Sequence, residues 1–203
     1  MPLPTTTRHV VVLLAAGAGS RFAESGHKLS APLPANGADP AQSVFERSLA
    51  HAVAAEVGTV VVVTGAVPDI ATAAAAASSG IVVRHNDHWA DGQSTSVQAG
   101  IDAARLLGAD SVVVGLADQP GITADAWRAV AAAAGPIAVA TYDGRRANPV
   151  GLDRAVWDLL PEHGDEGARA LMRVRPDLVR EVPCNGHPAD IDTTEDLRRW
   201  QNS

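Results

Sequence analysis

The sequence predicts an α/β protein, three α/β/α layers around a mostly parallel mixed sheet, as one domain over residues 1–203. Three observations lead there. Short apolar, β-branched runs alternate repeatedly with helical patterns, as right-handed crossovers between parallel strands require. The composition is 46% hydrophobic yet only 3% aromatic, so the core is built of Ala, Val, Leu and Ile, and helices can pack closely on a sheet. A chain of 203 residues suffices for one well-buried core and is short for two. No fixed-period repeat or dividing linker interrupts it.

The elements follow in order. Val10–Leu14 is a buried-strand run, and Pro32–Pro40 (PLPANGADP) reads as an exposed connection. Ser43–Glu56 places Val44, Leu49, Ala52 and Val53 on one side of an amphipathic helix. Thr59–Thr64 is a second strand, Ile70–Ala77 an alanine-rich helix, and Ile81–Val83 a third strand. The polar stretch Trp89–Ser96 leads into helical spacing at Val97, Ile101 and Ala104. Ser111–Leu116 (strand), Ala124–Ala134 (helix) and Ile137–Thr141 (strand) continue the alternation. Asp143-Gly144 then signals a tight turn, so the next segment is expected to return antiparallel. Short helices at Ala155–Leu160 and Glu166–Val174, a strand at Leu178–Val182 and a helix at Thr194–Trp200 close the chain.

A formal charge of −7 argues against nucleic-acid or acidic-membrane binding, which needs a basic face. Any anionic ligand must therefore meet a local cluster of cations. Such a cluster follows the first strand in LAAGAGSRFAESGHK: Gly17 and Gly19 let the backbone turn and present N–H groups, and Arg21 and Lys28 stand behind them. Lys28 is the only lysine among sixteen basic residues. Its compact ammonium in so arginine-biased a chain fits contact with a phosphate oxygen. The lone cysteine, Cys184, excludes an intramolecular disulfide and fits a reducing cytoplasm. No apolar run reaches the length of a membrane span, and the short N-terminal run leads directly into the charged loop.

In an open parallel sheet, ligands bind beyond the carboxyl ends of the strands. Asp118 ends one such strand, although it also reads as a turn aspartate ahead of Gln119-Pro120-Gly121. Asp190-Ile191-Asp192 puts two carboxylates on one side of an extended segment; alternatively, Asp192 or Thr193 with Glu195 or Asp196 forms a helix-capping box. Two hard oxygen ligands with room for water suit Mg²⁺. His85, His88, Cys184 and His187 lack the ligand number of a structural zinc site. No Ser-His-Asp spacing is recognisable, as befits phosphoryl or nucleotidyl transfer, whose nucleophile is already anionic.

These motifs, LAAGAGSRF with HKL, GQSTSVQAGI, GLADQP, GDEGAR and DIDTTEDL, together resemble the MobA/MocA-like molybdenum-cofactor nucleotidyltransferases of Rossmann-like fold, from about Val10 to Leu197. The resemblance implies that Leu14, Ala15, Ala16, Gly17, Ala18 and Gly19 hold a nucleotide and its phosphates, with Gln93, Ser94, Ser96 and Ala117 completing that site. It implies that Arg21 and Lys28 neutralise the leaving pyrophosphate, and that Asp118 and Asp192 hold Mg²⁺. LAAG is similar to the cytidylyltransferase type, which implies CTP. Asn148, Pro149, Asp165 and Arg169 would face a phosphorylated acceptor such as molybdopterin, and a molybdoenzyme or its maturation factor is the implied partner.

Three departures stand out: Arg21-Phe22-Ala23 where the family often has RMG, Arg146-Ala147-Asn148-Pro149 where it has RGHP, and the added ANGAD after Lys28. Two competing readings remain. Gly17-x-Gly19 partly resembles a dinucleotide fingerprint with Phe22 in place of the third glycine; that would make an NAD(P)H-dependent oxidoreductase, as is described for a pigment reductase of nicotine breakdown on a similar scaffold. A regulatory protein that holds a nucleotide without turning it over is the other.

Overall fold

In the computed structural model, residues 7–20, 22, 26–35, 40–77 and 80–201 are described. Arg21, assigned above to pyrophosphate neutralisation, lies outside them, as do most of the ANGAD residues. β1 (His9–Ala15) is an interior strand, as side chains apolar on both faces require: Val10, Val12 and Leu14 point into one core cluster and Val11, Leu13 and Ala15 into the other. β4 (Gly58–Thr64) and β6 (Ser111–Leu116) flank it in parallel, with Val12 in register with Val61 and Val114. β5 (Ile81–His85) adds a parallel edge beyond β4.

The return after Asp143-Gly144 is antiparallel, as expected. β7 (Ile137–Tyr142) and β8 (Arg145–Asp153) form a hairpin whose turn residues both have positive φ, 50° at Asp143 and 76° at Gly144. β8 inserts beside β6, and β9 (Val179–Pro183) runs parallel to β7. Among the described residues the seven-stranded order is therefore β5-β4-β1-β6-β8-β7-β9, apart from a small antiparallel pair, β2 (Pro32–Leu33), within the segment expected as a connection, with β3 (Gln42–Ser43), just beyond it.

Helices cover both faces. α1 (Val44–Ala54), α2 (Pro68–Ala77) and α4 (Ala124–Ala132) contribute to one core cluster. α3 (Gln93–Leu106) and α5 (Ala168–Val174) contribute to the other. α6 (Thr194–Gln201) closes the chain. α1 begins with a complete capping box, Ser43 Oγ accepting from the Glu46 N–H and Glu46 from the Ser43 N–H.

Two helix expectations shift. The segment expected as a helix at Ala155–Leu160 is a 3-10 turn over Arg154–Leu159, started by Asp153, which accepts from the Ala155 N–H, and held by the Trp157 indole N–H donating to the Leu152 carbonyl. Pro161 follows at once and denies it further turns. α5 starts two residues later than Glu166, because Gly167 has φ +50°. Among the described residues no helix is long and apolar enough to cross a membrane.

Candidate active site

The carboxyl ends of β1, β4 and β6 meet at one edge of the sheet, and the loop after β1 is fastened there. The Leu14 carbonyl accepts from the Ala117 N–H at 3.0 Å and the Ala16 carbonyl from the Ala66 N–H at 3.0 Å. The two loop glycines differ in role: Gly19 is left-handed at φ +60°, whereas a Cβ on Gly17 would meet nothing within 4 Å, leaving open space above the loop.

Lys28 enters this edge from a 3-10 turn capped by His27. The Leu29 N–H donates to His27 Nδ1 at 3.3 Å, so the ring's other nitrogen carries the proton and donates to the Gly17 carbonyl at 3.2 Å. Burial lowers the His27 pKa, with the neighbouring Lys28 acting the same way against the Gly17 bond. His27 is thus a neutral strut between the loop and the lysine, a role that its place in HKL did not disclose.

Lys28 Nζ lies 2.5 Å from Asp118 Oδ2 and 2.6 Å from Asp192 Oδ1. The three side chains are only 13%, 15% and 27% exposed. Burial by itself pulls the Lys28 pKa down, but attraction and hydrogen bonds from Asp118 and Asp192 outweigh it and hold the ammonium above its ordinary value.

At 190–196 the helix cap forms, and it falls to Thr193 and Asp196 rather than to Asp192. Thr193 and Asp196 make the capping box: Thr193 Oγ accepts from the Asp196 N–H, and Asp196 Oδ2 from the Thr193 N–H. That leaves the Asp192 side chain for Lys28. The strap is positioned by buried Ile191, whose N–H donates to the Asp118 carbonyl at 2.9 Å. Asp190 also lines the cleft; burial raises its pKa, and the charge of Asp118 adds to that, against a hydrogen bond from Gln119.

A cleft of about 470 Å³ opens over these groups. Leu14, Ala15, Ala16, Gly17, Ala18, Gln93, Ser96 and Asp165 line it as well. Ala117 and Ser94 do not. Ala117 is fully buried with its N–H spent on Leu14, and Ser94 is fully buried with Oγ accepting from the Gly167 N–H at 3.2 Å. Two residues that the sequence left without a role serve the same wall. Trp89 presents an indole to the cleft, and buried Asn86 donates from Nδ2 to both Thr95 and Ser96, fixing the entrance of α3.

A second pocket of about 300 Å³ adjoins the first, sharing Gln93 and Arg169 with it. Its floor is apolar, with Val97, Val114, Val139, Val150, Leu152 and Met172, and Arg146, Arg169, Arg173 and Asn148 stand among its walls. Arg146 is engaged by Glu181 and Arg173 by Glu166. Arg169 lines both spaces; its charge acts on Glu166, but its side chain makes no hydrogen bond among the described residues. Pro149 is buried beside Asn148 in a bulge of β8, the register jumping from Val139↔Val150 to Ala140↔Ala147.

Next to Gln93, which both pockets share, the 91–94 and 163–167 loops are joined through backbone. The Gly164 carbonyl accepts from the Ser94 N–H at 2.8 Å, and the Gly164 N–H donates to the Asp91 carbonyl at 3.2 Å. Gly92 must be glycine here: φ is +107°, and a Cβ would lie 2.5 Å from the Gly164 carbonyl carbon. Sequence spacing could not have placed GDEGAR against WADGQS.

The residues at the first cleft fit a divalent cation. Asp118 Oδ1 is buried with no hydrogen-bond partner, which is costly unless something electropositive meets it. Among the described residues no three His, Cys, Asp or Glu side chains are grouped as a metal site, so the protein supplies a partial shell that phosphates and water would complete.

Comparison with known proteins agrees with this architecture. Over 201 residues the chain is 31% identical to nicotine blue oxidoreductase of Paenarthrobacter nicotinovorans, covering 93% of this chain and 94% of that protein. Rv0371c of Mycobacterium tuberculosis H37Rv superposes with a TM-score of 0.78 at 26% identity, over 98% of this chain and all of that one. A structure of Rv0371c in complex with manganese matches at TM-score 0.69. A nucleotidyl transferase from Methanothermobacter shares the fold at TM-score 0.80 and 23% identity, over 97% of both chains. The MobA-like NTP transferase domain matches residues 11–181, and the chain belongs to that family.

Proposed function

We propose that this protein is a Mg²⁺-dependent nucleotidyltransferase that moves CMP from CTP to a small phosphorylated acceptor and releases pyrophosphate. The observation that carries the reading is the Lys28–Asp118–Asp192 constellation at the mouth of the Leu14–Ala18 loop. An ammonium and two carboxylates beside a tethered backbone loop can manage a triphosphate and its cation.

The loop approaches the phosphates, Lys28 supplies fixed positive charge to them, and Trp89, Gln93 and Ser96 border the nucleoside. Asp118 and Asp192 would hold the cation, which when bound neutralises phosphate charge. A phosphate oxygen of the acceptor attacks the α-phosphorus, the bond from that phosphorus to the bridging oxygen breaks, and pyrophosphate departs with the electron pair. Arg169, at the boundary, is placed to hold the acceptor's phosphate, while the apolar floor of the second pocket accommodates a planar ring system such as that of molybdopterin. A molybdoenzyme or its maturation factor is the downstream partner that such a product implies. Ala16, in LAAG, supports CTP over GTP.

A second reading is favoured by the full-length likeness to nicotine blue oxidoreductase: reduction of an aromatic substrate by NAD(P)H in the same two pockets. A calorimetric panel of CTP, GTP, UTP, ATP and NADPH, with and without Mg²⁺, on wild type and Asp118→Ala, separates the two. Mg²⁺-dependent CTP binding that is lost in the variant is expected. NADPH binding without metal, unchanged in the variant, overturns the transferase reading.

A further inference from the structure

Gln119 joins the linings of the two pockets, 5% exposed, with both amide hydrogens and the amide oxygen engaged. Nε2 donates to the Pro188 carbonyl at 2.9 Å and to Asp190 Oδ1 at 2.7 Å. Oε1 accepts from Asn148 Nδ2 at 2.9 Å. The orientation of this amide follows from chemistry, because a backbone carbonyl can only accept. The NH₂ must face Pro188, so the oxygen must face Asn148.

The constraint passes on to Asn148. One N–H of its NH₂ donates to Gln119, which fixes the sense of the amide, so Oδ1 is the acceptor left over, with no partner among the described residues and not sealed from solvent. Asn148 lines the second pocket, in the β8 bulge that turns it out of the sheet ladder.

We propose that Gln119 is a positioning residue that sets the polarity of the second pocket, and that Asn148 Oδ1 selects ligands whose planar ring carries an N–H or O–H donor alongside an anionic group. Arg169 meets the anion, the apolar floor takes the ring, and the Asn148 carbonyl accepts from the ring donor. A ring with an acceptor at that point would face oxygen against oxygen, and Asn148 could turn its amide only by breaking the bond to Gln119. The proposal rests on the reading of this pocket as the second-substrate site and specifies which chemistry it admits.

The probes are matched pairs: the 2-, 3- and 5-carboxylates of indole, each against its benzofuran isostere, which exchanges the ring N–H for an ether oxygen at nearly constant shape. Binding to the complete chain is measured by calorimetry, and CTP with Mg²⁺ is titrated in parallel. At least one indole carboxylate is expected to bind about tenfold more tightly than its isostere, the value of one hydrogen bond. Asn148→Leu and Gln119→Met should both bring that ratio towards one, the second without touching the ligand. A general structural role would weaken both members of a pair alike and leave the ratio unmoved. Equal affinities within every wild-type pair, a preference for the isostere, or binding of neither overturns the proposal, and these wild-type outcomes stand even if a variant fails to fold. CTP binding that fails while the indole preference persists counts against nucleotidyl transfer and not against the pocket's polarity.

Discussion

Replacing Lys28 by methionine removes the one ammonium that stands 2.5 and 2.6 Å from Asp118 and Asp192 while keeping most of the side chain's volume. Two carboxylates, with Asp190 close behind, would then face one another at low exposure. Breaking a buried pair from one side costs about 3–5 kcal/mol; discounting for residual solvent access at this rim leaves about 2 kcal/mol. For a domain of this size that corresponds to a fall in Tm of about 4–8 °C. The sign reverses for metal. In the wild-type protein a divalent cation must displace the ammonium, whereas in Lys28→Met it meets carboxylates that have lost that counter-charge. Affinity for Mn²⁺ without nucleotide should therefore rise about tenfold or more, on the scale of one partly buried ion pair. Titration of free Mn²⁺ by electron paramagnetic resonance measures this, and saturating Mn²⁺ should restore part of the lost Tm. Unchanged Mn²⁺ affinity together with a wild-type melt would show that Lys28 does not neutralise this pair.

Further expectations concern turnover and stability. Lys28→Ala and Asp118→Ala should each lower pyrophosphate release from CTP, with molybdopterin as acceptor, about a hundredfold or more; near-normal rates in either remove that residue from the mechanism. Arg169→Ala should raise the acceptor KM about tenfold or more through loss of a charged hydrogen bond, while calorimetric CTP affinity changes much less. Thr193→Ala removes the cap of α6 at a cost of about 1 kcal/mol, read as a lower urea midpoint at constant m. Glu46→Gln tests pH linkage: hydrogen bonds from Ser43 hold the Glu46 pKa below its ordinary 4.5, so its contribution is present above that value and lost as pH falls through the depressed one. The variant should be about 0.5–1 kcal/mol less stable at pH 7 and equal to wild type in strong acid, as urea unfolding at both pH values would show.

The sheet was legible because β1, β4 and β6 are buried on both faces, which leaves continuous Val and Leu runs that no amphipathic helix would display. Asp143-Gly144 announced the reversal of direction between β7 and β8, since both residues tolerate positive φ. A solitary lysine among arginines flagged Lys28. What lay beyond reach was atomic partnership across long separations. Asp192 and Thr193 are adjacent, and only the structure shows that capping falls to Thr193 and leaves Asp192 to the lysine. Ser94 and Ala117 sit within matching motifs, yet both are buried, because motif spacing locates a backbone and does not say which way each side chain turns. Gln119 carried no signal at all: its three partners lie 29 to 71 residues away.

The main-chain stitching of Asp91 and Ser94 to Gly164 has an evolutionary consequence. Two glycines and two main-chain hydrogen bonds hold these loops together, so their pairing does not depend on which side chains decorate the second pocket. Substitution at residues that line only the second pocket can retarget the scaffold to a new compound while leaving this stitching in place. Insertions at 91–94 or 163–167 would instead disturb both sites at once. Descendants of this architecture should thus diversify by exchanging residues at the second pocket while the lengths of these two loops stay constant.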